Sequence, residues 1–90
     1  MTIVLLTIKL MPESPSSDLK AIEAKAREIL EKEGAKNLSL EEKPIAFGIK
    51  AIIIKFAMPE EKGTDTVESM LSEIKDVSSV TIEDYRRAFG

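Results

Sequence analysis

Ile3-Val4-Leu5-Leu6-Thr7-Ile8-Lys9-Leu10 is the stretch on which the fold turns. Its β-branched and aliphatic residues alternate between two faces, Val4, Leu6, Ile8 and Leu10 on one and Ile3, Leu5, Thr7 and Lys9 on the other. Apolar side chains on both faces mark a central strand. The run is too short to span a bilayer, is interrupted by Thr7 and Lys9, and has neither a basic leader nor a small-residue cleavage site. It therefore reads as a strand of a cytoplasmic protein, with no membrane partner.

Pro12 and Pro15 bracket a polar loop after this strand, and Ser17 or Asp18 is placed to cap a helix by accepting from its first free N–H groups. Over residues 18–33, Leu19, Ile22, Ala26, Ile29 and Leu30 form one stripe at helical spacing, and charged residues occupy the rest. Gly34 follows in the position where helices turn left-handed to stop. Leu38 and Leu40 alternate with polar residues as a second strand. In residues 49–58, Ile49, Ala51, Ile53 and Lys55 lie on one side and Lys50, Ile52, Ile54 and Phe56 on the other, a third strand. Pro59 and Gly63 bound the next loop. Thr64 or Asp65 is the expected cap of a second helix, with Asp65 and Glu68 forming a capping box, and Val67, Met70, Leu71 and Ile74 supply its core stripe. A last strand centres on Val80 and Ile82.

The order is thus β-α-β-β-α-β, and two helices on one face of a four-stranded antiparallel sheet bury both apolar stripes in the simplest way. Right-handed crossovers put the first and third strands in the centre, giving the order 4-1-3-2 of a ferredoxin-like α+β sandwich. Residues 1–90 form one domain. At this size folding buries roughly 60–65% of the unfolded surface, enough for one modest core and no deep cavity. With Phe47, Phe56, Tyr85 and Phe89 the only aromatic residues, that core is aliphatic.

Composition excludes much chemistry. The chain has no cysteine and no histidine, so it lacks disulfides, thiol nucleophiles, thiolate metal sites and the commonest general base. A net charge of −3 argues against sequence-independent nucleic-acid binding. The sheet also lacks the aromatic pairs on which RNA bases stack. Gly34, Gly48, Gly63 and Gly90 are isolated, so no phosphate-cradling loop exists and the chain alone should hold no nucleotide. The adjacent carboxylates Glu41/Glu42 and Glu83/Asp84 point to opposite faces of a strand. Glu60/Glu61 in a loop is the one conceivable hard-cation pair, more simply a solvated surface feature. The expectation is a protein without cofactor, metal or covalent chemistry. High Lys and Glu with one Asn and no Gln fits the composition of heat-adapted proteins.

One segment does not fit a purely structural role. Lys43-Pro44-Ile45-Ala46-Phe47-Gly48 joins two strands yet carries two apolar side chains. Either they fold back over the end of the core or Phe47 projects as an anchor for a partner. The stretches Thr7-Ile8-Lys9-Leu10-Met11-Pro12-Glu13-Ser14-Pro15, Glu42-Lys43-Pro44-Ile45-Ala46-Phe47-Gly48-Ile49 and Val77-Ser78-Ser79-Val80 with Asp84-Tyr85-Arg86-Arg87 resemble the archaeal elongation factor 1-beta family along essentially the whole chain. The resemblance implies a guanine nucleotide exchange factor for the elongation factor 1-alpha GTPase. It further implies that the loop Pro44, Ile45, Phe47, Gly48 and the C-terminal Arg86 and Arg87 face that partner, with Phe47 inserted into it. The related eukaryotic domain ends with a lysine that reaches toward the partner's Mg²⁺ site. Here the chain ends Arg87-Ala88-Phe89-Gly90 and has no matching lysine. Two other functions are compatible with the fold. One is a small-molecule or metal-sensing domain that dimerises through its sheet. The other, an acylphosphatase-like enzyme, is disfavoured because no arginine occupies the loop after the first strand.

Overall fold

Val4, Leu6, Ile8 and Leu10 have essentially no solvent exposure in the computed structural model, which describes residues 2–46 and 48–89. They lie on β1 (Thr2–Pro12), which pairs antiparallel with both β3 (Lys50–Pro59) and β4 (Val77–Phe89). β2 (Lys36–Pro44) pairs with the outer edge of β3, giving the order β2-β3-β1-β4. This is the expected 4-1-3-2 order seen from the other side. The helices α1 (Leu19–Lys32) and α2 (Thr64–Ser72) complete the ferredoxin-like arrangement.

Register fixes which side chains meet. Val4 faces Met58, Leu6 faces Phe56, Ile8 faces Ile54 and Leu10 faces Ile52, so the buried rows of β1 and β3 form one continuous apolar strip. Ile22, Ala26 and Leu30 of α1, with Val67 and Leu71 of α2 and Ile74 just after it, pack onto that strip. Burying a side chain of this size stabilises the fold by about 1.5–3 kcal/mol relative to leaving it in water. Met70 belongs to the α2 stripe but is only half-buried, at the groove between the helices with Ile29 and Ile74.

The helix ends follow local chemistry with one correction. Asp18 caps α1 by accepting from the Ala21 N–H at 3.2 Å, and Gly34 takes φ +89° beyond its end. At α2, Gly63 holds the capping position at φ +76° and no side chain caps the helix, so the expected Asp65–Glu68 box does not form. The short 3₁₀ turn Glu60–Lys62 brings the chain into α2 one residue earlier than Thr64 capping requires and two earlier than Asp65 capping requires. No helix among the described residues is long and apolar enough to cross a membrane.

β4 contains a bulge opposite Thr7 and Ile8. Ile82 pairs with Ile8 and Asp84 with Thr7, leaving Glu83 as the extra residue. From there Asp84 and Arg86 share a face with Thr7 and Leu5, while Tyr85 and Arg87 share the helix side with Leu6 and Val4.

Ile8 makes the central row testable. Ile8→Ala is expected to cost about 2–5 kcal/mol, lowering the urea midpoint by roughly 1 M or more, with the far-UV circular dichroism of any folded fraction unchanged.

Candidate functional site

The loop between β2 and β3 is closed by its own backbone. The Ile45 N–H donates to the Ile49 carbonyl and the Ile49 N–H to the Ala46 carbonyl, both at 2.9 Å. Gly48 takes φ +74°, a conformation that a side chain would strain. A Cβ there would sit 3.9 Å from the Pro15 side chain, so this loop abuts the one that follows β1. That second loop is held by the Ser14 N–H donating to Ser17 Oγ at 3.2 Å. It is tied to the turn before β4 by the Glu13 N–H donating to the Asp76 carbonyl at 2.8 Å. Three connections therefore converge at one end of the sheet.

Ile45 does not fold back over the core; it is 47% exposed. Pro44, Ala46 and Gly48 are exposed beside it. Phe47 lies outside the described residues.

Arg86 and Arg87 are at the other end. Arg86 pairs with Leu5 and Arg87 with Val4, near the start of β1, whereas Lys50, two residues before the partner of Leu10, starts β3 beside the loop. At ~3.3 Å per residue the two sets are separated by about 20 Å along the strands. The structure thus keeps the loop residues together and sets the two arginines apart from them. It also separates the arginines from each other, since Arg86 faces the helix-free side and Arg87 the helix side.

Both cations have partners within the chain. Arg86 Nε is 2.9 Å from Asp84 Oδ2, an exposed pair that contributes little to stability. An Arg87 terminal nitrogen is 2.6 Å from Glu60 Oε1. Because β1 lies between β4 and β3, this contact reaches over Val4 and links the edge strand to the turn after β3. A shallow groove of about 390 Å³ opens on the helix-free side beside Arg86, lined by Leu5, Thr7, Lys55, Ala57 and Asp84. Among the described residues no group of three or more Asp or Glu side chains is arranged to hold a metal ion.

A carboxylate pair, Glu23 and Glu42, lies between α1 and the β2 edge. Glu42 faces the helix side, where Lys20 Nζ of α1 is 3.6 Å from its Oε2. Glu23, on the same face of α1, has one oxygen, Oε2, buried without a hydrogen-bond partner. Burial pushes the Glu23 pKa above its ordinary value. The neighbouring Glu42, as hydrogen-bond partner and as charge, pushes it the same way against the opposing pull of Lys20 and Arg27. Sequence reading gave no sign of this pair, because the residues are far apart in the chain and meet only through the packing of α1 on β2.

The sequence pattern of the EF-1 guanine nucleotide exchange domain matches residues 5–88. Curated relatives called elongation factor 1-beta include those of Methanobrevibacter smithii, 41% identical over 93% of this chain and 94% of the relative, and Methanocaldococcus jannaschii, 41% identical over 92% and 96%. That of Metallosphaera sedula is 41% identical over 91% of each chain. Among solved structures, LarC2 is similar. It is the C-terminal domain of a cyclometallase involved in synthesis of the NPN cofactor of lactate racemase, in its apo form. The match has a TM-score of 0.67 at 9% identity and covers 99% of this chain and 58% of that one. A putative antibiotic biosynthesis monooxygenase from Bacillus cereus matches with a TM-score of 0.55 at 16% identity, over 100% and 96% of the two chains. At these identities the two structures share the fold alone.

The carboxyl pair yields a pH prediction. With its folded pKa raised, Glu23 contributes stability that is fully present below its unfolded pKa and is lost as pH rises through the folded value. Glu23→Gln is therefore expected to raise the melting temperature at pH 7. The gain should disappear below pH ~3.5, where the wild-type carboxyl is protonated in both states. Thermal melts of both proteins between these limits check it.

Proposed function

The chain belongs to the elongation factor 1-beta family, and from that membership we propose that it promotes GDP release from the elongation factor 1-alpha GTPase by docking on it through the Pro44–Gly48 loop. The observation that carries the proposal is the match to the exchange domain over residues 5–88, with Ile45 exposed in a loop where a merely connecting segment would be polar. Phe47, carried over from the family resemblance, is the anchor, with Ile45 beside it and Gly48 supplying the turn.

The mechanism is thermodynamic linkage. A protein that binds the nucleotide-free GTPase more tightly than its GDP complex weakens GDP by the same factor. It need not touch the nucleotide. The GTPase holds GDP through a phosphate loop, a Mg²⁺ and ordered switch segments, so displacing any of them lowers affinity and speeds release. A loop whose ends are tied by the Ile45–Ile49 and Ile49–Ala46 backbone hydrogen bonds, with an apolar anchor, suits that task.

Arg86 and Arg87 are cations for acidic or phosphate groups of the partner, each held in the free protein by Asp84 and Glu60 respectively.

The test is release of a fluorescent GDP analogue from elongation factor 1-alpha of the same source. Catalytic amounts of this protein are expected to accelerate release saturably, and Phe47→Ala to cut the acceleration at least ~tenfold while leaving the melting temperature unchanged. No acceleration by folded wild type overturns the proposal, and unfolding of Phe47→Ala assigns that side chain to the core.

A further inference from the structure

The two faces of this protein differ in charge. The register assigns Lys9, Lys36, Lys43, Lys55 and Arg86 to the helix-free face of the sheet, against the anions Glu41 and Asp84. With 13 Lys and Arg and 16 Asp and Glu in the chain, the remainder holds eight cations and fourteen anions. Even if the bulge residue Glu83 is counted with the sheet face, that face stays basic while the rest of the molecule is acidic. Such an excess steers encounter with an acidic surface and repels a basic one.

The same face is partly apolar. Leu5, toward the Arg86 end, is 45% exposed and Ile3 on the same strand is half-buried, with Ile53 and Met11 half-buried further along toward the loop. Exposed apolar side chains interspersed with cations offer a protein partner both apolar and charged contacts. It also runs the length of the strands between the Pro44–Gly48 loop and Arg86, about 20 Å apart. A partner that touches both ends must lie along one face of the molecule, and the helix layer is the acidic one.

We propose that the helix-free sheet face is a docking surface for an acidic, partly apolar protein surface on the GTPase, so that the partner lies along the sheet with the loop at one end. The inference rests on the exchange-factor reading. Nucleic acid is the poorer occupant. The face carries no exposed aromatic residue among those the register assigns to it, and its cations are interrupted by apolar side chains rather than forming a continuous track.

The test uses Lys9→Glu/Lys55→Glu, two central positions outside the loop, and a helix-face control, Lys25→Glu/Lys32→Glu. Each protein is titrated against nucleotide-free elongation factor 1-alpha by calorimetry, and exchange and thermal melts are measured in parallel. The sheet-face variant is expected to remain folded, to weaken binding at least ~tenfold, and to raise the half-saturating concentration for exchange with little change in the maximal rate. The control should stay within about twofold of wild type. Unchanged binding by a folded sheet-face variant overturns the inference alone, as does equal weakening by the control. Should charge reversal unfold the chain, Lys9→Gln/Lys55→Gln replaces it, with a smaller loss of affinity expected and none overturning the proposal. Wild-type binding without accelerated GDP release overturns the exchange reading and leaves the surface to be judged by the titrations. Failure of wild type to bind the GTPase, or tighter binding to a single-stranded RNA 20-mer that the Lys9/Lys55 variant loses, overturns the docking assignment.

Discussion

The row Val4, Leu6, Ile8 and Leu10 sits between two strands and beneath two helices, and the rest of the fold depends on that row keeping its register. Side chains alternate along a strand, so a slip of one residue would turn these four outward and bring Lys9 and Thr7 against the helices. The facing row Ile52, Ile54, Phe56 and Met58 imposes the same condition from β3. Together they leave one solution for the sheet, with both helices on one side and the other side open.

That asymmetry gives the molecule two unlike surfaces. The helix layer is a solvated surface with pairs such as Lys25–Glu28 and Lys32–Glu28 at 3.8 and 3.5 Å, which contribute a few tenths of a kcal/mol each. The open side collects cations and exposed Leu5. The loop carrying Ile45 lies at one end of the strands and Arg86 and Arg87 at the other. The bulge at Glu83 aims Arg86 at the open face and Arg87 across Val4 toward Glu60.

Much of this was legible in the sequence because it is written in short periods. Alternation over residues 3–10 and 49–58 marks the central strands, the stripe from Leu19 to Leu30 marks α1, and Gly34 marks its end. The connection order then dictates the strand order. Family membership was legible from the unusual runs around Met11-Pro12 and Pro44–Gly48. What was hidden depends on register between strands or on packing between elements. The bulge needs one extra residue whose location local alternation does not reveal. The Arg87–Glu60 and Glu23–Glu42 contacts join residues remote in the chain. The basic character of the open face emerges only when Lys9, Lys43 and Lys55, each unremarkable alone, are laid side by side. The missing cap at α2 is a local failure of a local rule, because the turn at Glu60–Lys62 delivers Gly63 to the capping position.

The most direct measurement of the account is the affinity of this protein for elongation factor 1-alpha in its nucleotide-free and GDP-loaded forms, determined under one set of conditions. Linkage predicts tighter binding to the nucleotide-free form, by the same factor by which this protein weakens GDP. Equal affinity for the two forms would contradict it, since a ligand that does not discriminate between the two states cannot shift GDP release.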